Sequence, residues 1–154
     1  MSSVSKYQSR RDYSEQAPEL AQLTLGDMGP QGDTLVEFEG ERINVFGGIP
    51  GEEIVARVLR YRPRRKRNRR TSAMVVETLK PSVHRVAPPC PYFGACTGCQ
   101  WQHIEYAHQL ELKRMAVERE LRRFQELKDV PISSTVPSRE QFGYRNHARF
   151  TVRR

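Results

Sequence analysis

Three cysteines fall within ten residues, Cys90-Pro91-Tyr92-Phe93-Gly94-Ala95-Cys96-Thr97-Gly98-Cys99, in the spacing C-x5-C-x2-C. Thiolates are soft metal ligands, and the interspersed Pro and Gly bend the backbone so that three can converge. Three of them from one loop suit three corners of a cubane iron–sulfur cluster, with the fourth ligand coming from elsewhere in a chain. They suit zinc equally well on donor chemistry, and His103, separated from Cys99 by three residues, would complete a Cys3His set. Unliganded thiols packed for their hydrophobicity seldom crowd so closely among Gly and Pro. Spacing by itself leaves cluster and zinc both open.

A second constellation is electrostatic. The 154 residues hold 26 Lys and Arg against 18 Asp and Glu, a net charge of +8. Arg60, Arg62, Arg64, Arg65, Lys66, Arg67, Arg69 and Arg70 supply eight of those bases with no acid between them. Outside that run the bases and acids balance at 18 each, so the whole excess sits in eleven consecutive residues. Such a run can neutralise several phosphates, giving salt-sensitive and largely sequence-independent affinity. Arginine favours bidentate phosphate contacts and stacking on splayed bases, and Tyr61 beside the run offers a further stacking face. The alternative is a merely solvated loop. A nuclear-localisation signal would apply only in a eukaryote.

These residues need elements to carry them. Residues 20–80 read as five short strands. Thr34–Phe38 and residues 42–46 flank a Gly-centred turn at Glu39-Gly40-Glu41, with Val36, Phe38, Ile43 and Val45 alternating inward. Gly47-Gly48-Ile49-Pro50-Gly51-Glu52 is dense with breakers and reads as a tight connection. Ile54, Ala56 and Val58 alternate along a fourth strand, residues 73–79 supply a fifth, and residues 21–25 the first. Five short strands in so few residues suit a small closed or partly open barrel, which limits exposed sheet edges. The barrel's first four strands are acidic, with seven acids and two bases over residues 20–59. The basic run falls in the connection between strands four and five.

After the barrel, Pro81, Pro88, Pro89 and Pro91 stiffen the stretch that holds every cysteine. Residues 105–128 read as an amphipathic helix, with Tyr106, Leu110, Val117, Leu121 and Phe124 as its packing stripe. Pro131 and Pro137 end it, and residues 144–153 read as one more strand. Residues 1–19 are polar and without periodicity, a disordered leader. Three cysteines without an apolar leader argue for a reducing, cytoplasmic setting rather than a disulfide framework. Leu, Ile, Val and Phe make up about 22% of the chain, so the core must be small. No apolar run is long enough to span a bilayer, so no membrane partner is expected.

Gly48-Ile49-Pro50-Gly51-Glu52 after a hairpin resembles the TRAM domain, an RNA-binding barrel of OB-like form. Several downstream segments are similar to the bacterial RNA (uracil-5-)-methyltransferases: His84-Arg85-Val86-Ala87-Pro88-Pro89-Cys90, then Tyr92-Phe93-Gly94, Cys96, Gly98-Cys99-Gln100, Gln102-His103-Ile104 and Gln109-Leu110-Glu111-Leu112-Lys113. Phe142-Gly143-Tyr144-Arg145-Asn146 matches the strand that opens their central domain. The resemblance covers residues 20–154. It implies a [4Fe-4S] cluster held by Cys90, Cys96 and Cys99 with a fourth, distant cysteine, and it makes His103 a motif residue rather than a ligand. It implies RNA, ribosomal or transfer, as the partner of a monomer.

The match also has a gap. Uracil C5 methylation needs a thiolate that adds to C6, a base to remove the C5 proton, and a pocket for S-adenosylmethionine. All three cysteines here belong to the cluster motif, and no strand–Gly-rich turn–helix unit opens a cofactor fold. The expected fold is therefore mainly β: a five-stranded OB-like TRAM barrel, a Cys-rich loop, one amphipathic helix and the first strand of an incomplete α+β subdomain over residues 81–154. The expected role is the RNA-recognition and cluster-binding portion of an S-adenosylmethionine-dependent RNA (uracil-5-)-methyltransferase, with no catalytic residue in this chain. The competing expectation is a stand-alone RNA-binding protein with a Cys3His zinc site.

Overall fold

The structure, a computed structural model, describes residues 18–61, 70–94, 96, 98–144 and 146–147, with Tyr61 described by its backbone alone. Alternating apolar and polar residues build β1 (Leu20–Thr24), β2 (Thr34–Phe38), β3 (Glu41–Phe46), β4 (Glu53–Tyr61) and β5 (Arg70–Lys80). One helix follows, α1 (Tyr106–Leu121). The strands form a single curled sheet in the order β1-β4-β5-β3-β2.

Two antiparallel hairpins make up most of that sheet. In β2–β3 the turn is Glu39-Gly40, both at positive φ (52° and 76°), the backbone of a type I′ turn whose twist matches its strands. The β4–β5 hairpin is longer, running from Glu53↔Lys80 to Tyr61↔Arg70. A short parallel contact, Asn44↔Ser72 to Phe46↔Met74, joins the hairpins through β3 and β5, and β1 lies antiparallel on the other side of β4. The sheet thus curls without pairing its two edge strands. The connection after β1 narrows the opening, because Gly26 N–H donates to Leu35 O and Leu35 N–H to Asp27 O.

Inside the curl lie Leu23, Leu25, Ile43, Val45, Ile54, Ala56 and Ala73, with Val36 and Phe38 partly buried against them. These are the inward positions that alternation marks out, and truncating a fully buried one such as Ile54 to Ala costs about 2–5 kcal/mol. A second cluster, Met28, Ile49, Ile104 and Leu112, with Trp101 packed on it, draws from both the barrel and the residues after it. The barrel and the cysteine-bearing segment therefore share a core.

The helix ends earlier than its sequence pattern suggests. It stops at Leu121 rather than near residue 128, and single turns continue the chain through i→i−3 bonds such as Phe124 N–H to Leu121 O and Leu127 N–H to Phe124 O. Its buried side chain is Leu112, not the expected stripe: Val117 and Phe124 are 51% and 57% exposed. Tyr106 and Leu110 meet residues 132–138 instead, through Thr135 Oγ1 donating to Leu110 O and Ser138 N–H donating to the Tyr106 hydroxyl. Of the expected strand over residues 144–153, Tyr144, Asn146 and His147 take no strand, and the remainder lies outside the described residues. So do residues 1–17 of the expected leader. Glu19 belongs to the barrel, its carbonyl accepting from Val58 N–H at 2.8 Å.

Candidate nucleic-acid interface and cysteine turn

The Gly47–Glu52 stretch does more than connect β3 to β4. Gly47 and Gly51 sit at positive φ (87° and 84°), and a Cβ on Gly48 would stand 2.1 Å from Leu25 Cδ1, so any side chain there would have to displace the buried Leu25. That close approach seals Glu52 inside, with 0% of its side chain exposed. Its carboxylate accepts from Ile49 N–H (2.9 Å), Ser82 N–H (3.0 Å), and both Arg85 Nε and a terminal Arg85 nitrogen (2.6 Å each). Arg85 also donates to Gly47 O at 3.0 Å. Burial pushes the Glu52 carboxyl up, but the hydrogen bonds from Arg85 and the two backbone amides more than offset it and hold it below the ordinary carboxylate range. The result fixes residues 82–85, which lead into the cysteines, against the mouth of the barrel.

The cysteine turn is anchored at the same place. Phe93 N–H donates to Cys90 O (3.1 Å), Cys96 N–H to Tyr92 O (2.8 Å), and Gly94 takes the positive φ (87°) that the reversal requires. Cys90 N–H donates to Gln102 Oε1 at 3.3 Å. Phe93 packs on His103, ring centroids 5.3 Å apart, and His103 Nε2 faces Gly48 O at 3.4 Å. Trp101 Nε1 donates to Gly32 O at 2.7 Å, a third clasp between the two parts. His103 is 2% exposed; burial, followed by the nearby Arg85 charge, lowers its pKa, so the neutral ring donates from Nε2 and leaves Nδ1 buried without a partner among the described residues.

All three cysteines are free thiols, Cys90 half-buried and Cys96 and Cys99 exposed. Gly98 N–H donates to Cys96 Sγ at 3.4 Å. As a donor set, three soft sulfurs on one turn fit three corners of a cluster. Among the described residues, no group of three His, Cys, Asp or Glu side chains is gathered at metal-holding geometry. The expected Cys3His alternative would need His103, whose Nε2 is directed at the barrel.

Most of the chain is similar in sequence to part of several RNA methyltransferases. The chain is 31% identical over 134 residues to an uncharacterized RNA methyltransferase of Nostoc sp., and the alignment covers 87% of this chain and 28% of that protein. An uncharacterized RNA methyltransferase of Listeria monocytogenes is 35% identical over 133 residues, covering 85% of this chain and 28% of the relative. A 23S rRNA (uracil(1939)-C(5))-methyltransferase of Azoarcus sp. is 35% identical over 123 residues, covering 80% and 27%. The chain thus spans under a third of the length of these relatives. No protein-family model matches it.

The ends of the basic run are visible on the barrel. Arg60 lies in β4, bonded to Glu19 at 2.7 Å and to Glu39 at 2.9 Å, and its guanidinium sits 5.9 Å from the centre of the Phe38 ring. Arg70 opens β5 opposite Tyr61 and has no carboxylate partner among the described residues. Arg62, Arg64, Arg65, Lys66, Arg67 and Arg69 lie outside the described residues, as does the Tyr61 side chain. The run therefore emerges from the end of the β4–β5 hairpin, as its position between strands four and five implied.

Glu52 and Arg85 went unrecognised as a pair in the sequence, where each was only part of a motif. So did a stacked pair of histidines, His84 and His108, with ring centroids 3.9 Å apart at 9° and His84 Nδ1 3.1 Å from Glu105 Oε2. They line a cleft of about 410 Å3 between the barrel and α1, together with Met28, Pro50, Leu112 and Arg119. Burial, then the adjacent His84 ring, lowers the His108 pKa. No helix among the described residues is long and apolar enough to cross a membrane.

Proposed function

We propose that this chain is the RNA-recognition and cluster-binding portion of an RNA (uracil-5-)-methyltransferase, a protein that acts with S-adenosylmethionine in its full-length form and resides in the cytoplasm. The observation that carries this reading is the alignment of nearly the whole chain with about 28% of RNA methyltransferases, one of them a uracil-C5 enzyme of 23S rRNA. In this reading the five-stranded barrel is a TRAM domain, and Arg62 to Arg70 hold RNA phosphates. Cys90, Cys96 and Cys99 would hold a [4Fe-4S] cluster, which when bound cross-links the turn as a structural element, since methyl transfer needs no electron. The turn's own residues supply the mounting: Phe93 and His103 press it to Gly48, and Gln102 holds the backbone of Cys90. The chain brings RNA and contributes no catalytic side chain.

Two measurements test this. Incubated with ribosomal RNA and labelled S-adenosylmethionine, the chain is expected to retain RNA at low salt and incorporate no label. Label incorporation by the chain alone, or no RNA retention, overturns the reading. Purified without oxygen, it is expected to carry iron and acid-labile sulfide that decline in air, because three thiolates leave one metal corner open. One zinc per chain with no sulfide would instead support a small RNA-binding protein with a zinc site.

A further inference from the structure

Strand alternation divides β3 into two faces. Ile43 and Val45 point into the core, so Arg42, Asn44 and Phe46 share the outer face, roughly 7 Å apart by strand geometry. β5 lies alongside in parallel register and brings Arg70 and Ser72 to the same face, and the β1–β2 connection brings Gln31. These side chains, together with Glu41, line an open groove of about 290 Å3, in which two cations outnumber one acid. That is near the lower limit of ligand clefts, roughly 300–1,000 Å3, and enough for one nucleotide rather than a folded partner.

Its chemistry is specific. Arg42 and Arg70 have no carboxylate partner among the described residues, whereas Arg60, Arg85, Arg114, Arg122 and Arg123 are all in ion pairs. Asp33, 1% exposed, fixes the floor by accepting from Gln31 N–H and from Asn44 Nδ2. A carboxylate only accepts, so the Asn44 amide is oriented with its oxygen as the free group, an acceptor for a base N–H. Phe46 adds an aromatic face beside it. Two unpaired cations, one oriented amide oxygen and one aromatic ring match a phosphate, a base edge and a base face. The basic run joins this groove directly, since Arg70 ends the run and lines the groove.

We propose that this outer face of β3 and β5 is a single-nucleotide subsite for single-stranded RNA, in which Arg42 and Arg70 take a phosphate, Phe46 stacks on the base and Asn44 accepts from its edge. The proposal rests on the RNA-binding reading above and extends it from the arginine run to a defined pocket that senses bases, not charge alone.

Fluorescence anisotropy of the full chain with a dye-labelled oligouridylate, and with an abasic oligonucleotide of the same length, tests it. Phe46→Leu is expected to weaken oligouridylate binding by about tenfold, the effect of losing one stacked base. It should leave abasic binding unchanged, and Phe46→Tyr should retain wild-type affinity. Gln31→Ala, on an exposed loop, is expected to cost oligouridylate about threefold. Arg42→Gln with Arg70→Gln should flatten the log–log salt dependence for both ligands by about 0.7, the value for one phosphate contact on a single strand. Equal weakening of both ligands by Phe46→Leu, or no weakening of oligouridylate by Phe46→Leu and Gln31→Ala, overturns the subsite. If oligouridylate binding then still depends on Arg64, Arg65, Arg67 and Arg69, the broader RNA-binding reading stands. No wild-type binding to either ligand overturns both.

Discussion

Arg60 and Arg85 invite comparison, because each clamps carboxylates contributed from distant parts of the chain. Arg60 sits at the rim, bonded to Glu19 and Glu39, with all three side chains more than a third exposed. Arg85 sits at the junction of barrel and cysteine turn, bonded at two points to a carboxylate that has no contact with water. The distances are alike, near 2.6–2.9 Å. What differs is the medium. At the rim, water and salt screen the attraction, and ordering long side chains consumes most of the gain. At the junction the Glu52 carboxylate is desolvated while Arg85 keeps partial contact with water, so it is Glu52 that cannot be solvated if its partner is removed. Counting ion pairs would rank the rim first; burial ranks it last.

The largest expected effect follows from that difference. Arg85→Ala should lose about 3–5 kcal/mol of stability in urea unfolding, since it leaves the sealed Glu52 carboxylate without its counter-charge. A loss as small as that of a surface substitution would show that Glu52 is solvated after all.

Next comes the basic run, whose charges should act on a polyanion rather than on the fold. Neutralising Arg64, Arg65, Arg67 and Arg69 together should flatten the salt dependence of RNA binding by about three to four log units per log unit, at roughly 0.7–0.9 per contact. The melting temperature should stay put. A lowered melting temperature would place these arginines with Arg85 instead.

Acid should find the junction before the rim. His103 and His108 have pKa values below the ordinary 6.5, so their neutral forms belong to the folded state. The unfolded chain binds protons more readily below that value, and stability falls as pH drops from about 6.5, by at most about 1.4 kcal/mol per unit for each histidine. Glu52 adds to the loss only below about 4.5, the ordinary value from which its own pKa is lowered. Replacing both histidines by Gln should flatten the decline between pH 6.5 and 5. An unchanged slope would mean that neither histidine is the sensor.

The smallest effect belongs to Arg60→Ala. It should move the urea midpoint within measurement scatter, and any difference from wild type should vanish as salt is raised.

The sequence was informative where function and folding use short-range patterns. Val36, Phe38, Ile43 and Val45 alternate as a hairpin must, and Glu39-Gly40 supplies the positive φ its turn demands. The cysteine turn is legible because its three thiols lie within ten residues. The helix was overextended because Val117 and Phe124 fit a stripe, and periodicity cannot tell which face finds a partner; Leu112 meets Met28 and Ile49, which the pattern does not encode. Glu52 and Arg85 are 33 residues apart and of types usually found in water, so only the fold reveals that they are buried together. The outer face of β3 is hidden in sequence for a different reason: Arg42, Asn44 and Phe46 alternate with Ile43 and Val45 as the solvent side of any half-buried strand does.

Trp101, the sole tryptophan of the chain, stands at the junction, its indole N–H held by Gly32 O and its ring packed against the Met28–Ile49–Ile104–Leu112 cluster. The protein therefore carries an intrinsic optical reporter of one event, the seating of the cysteine turn on the barrel. A red shift of its emission would signal undocking while far-ultraviolet ellipticity still registers an intact sheet, separating loss of the clasp from loss of the fold without attaching a label.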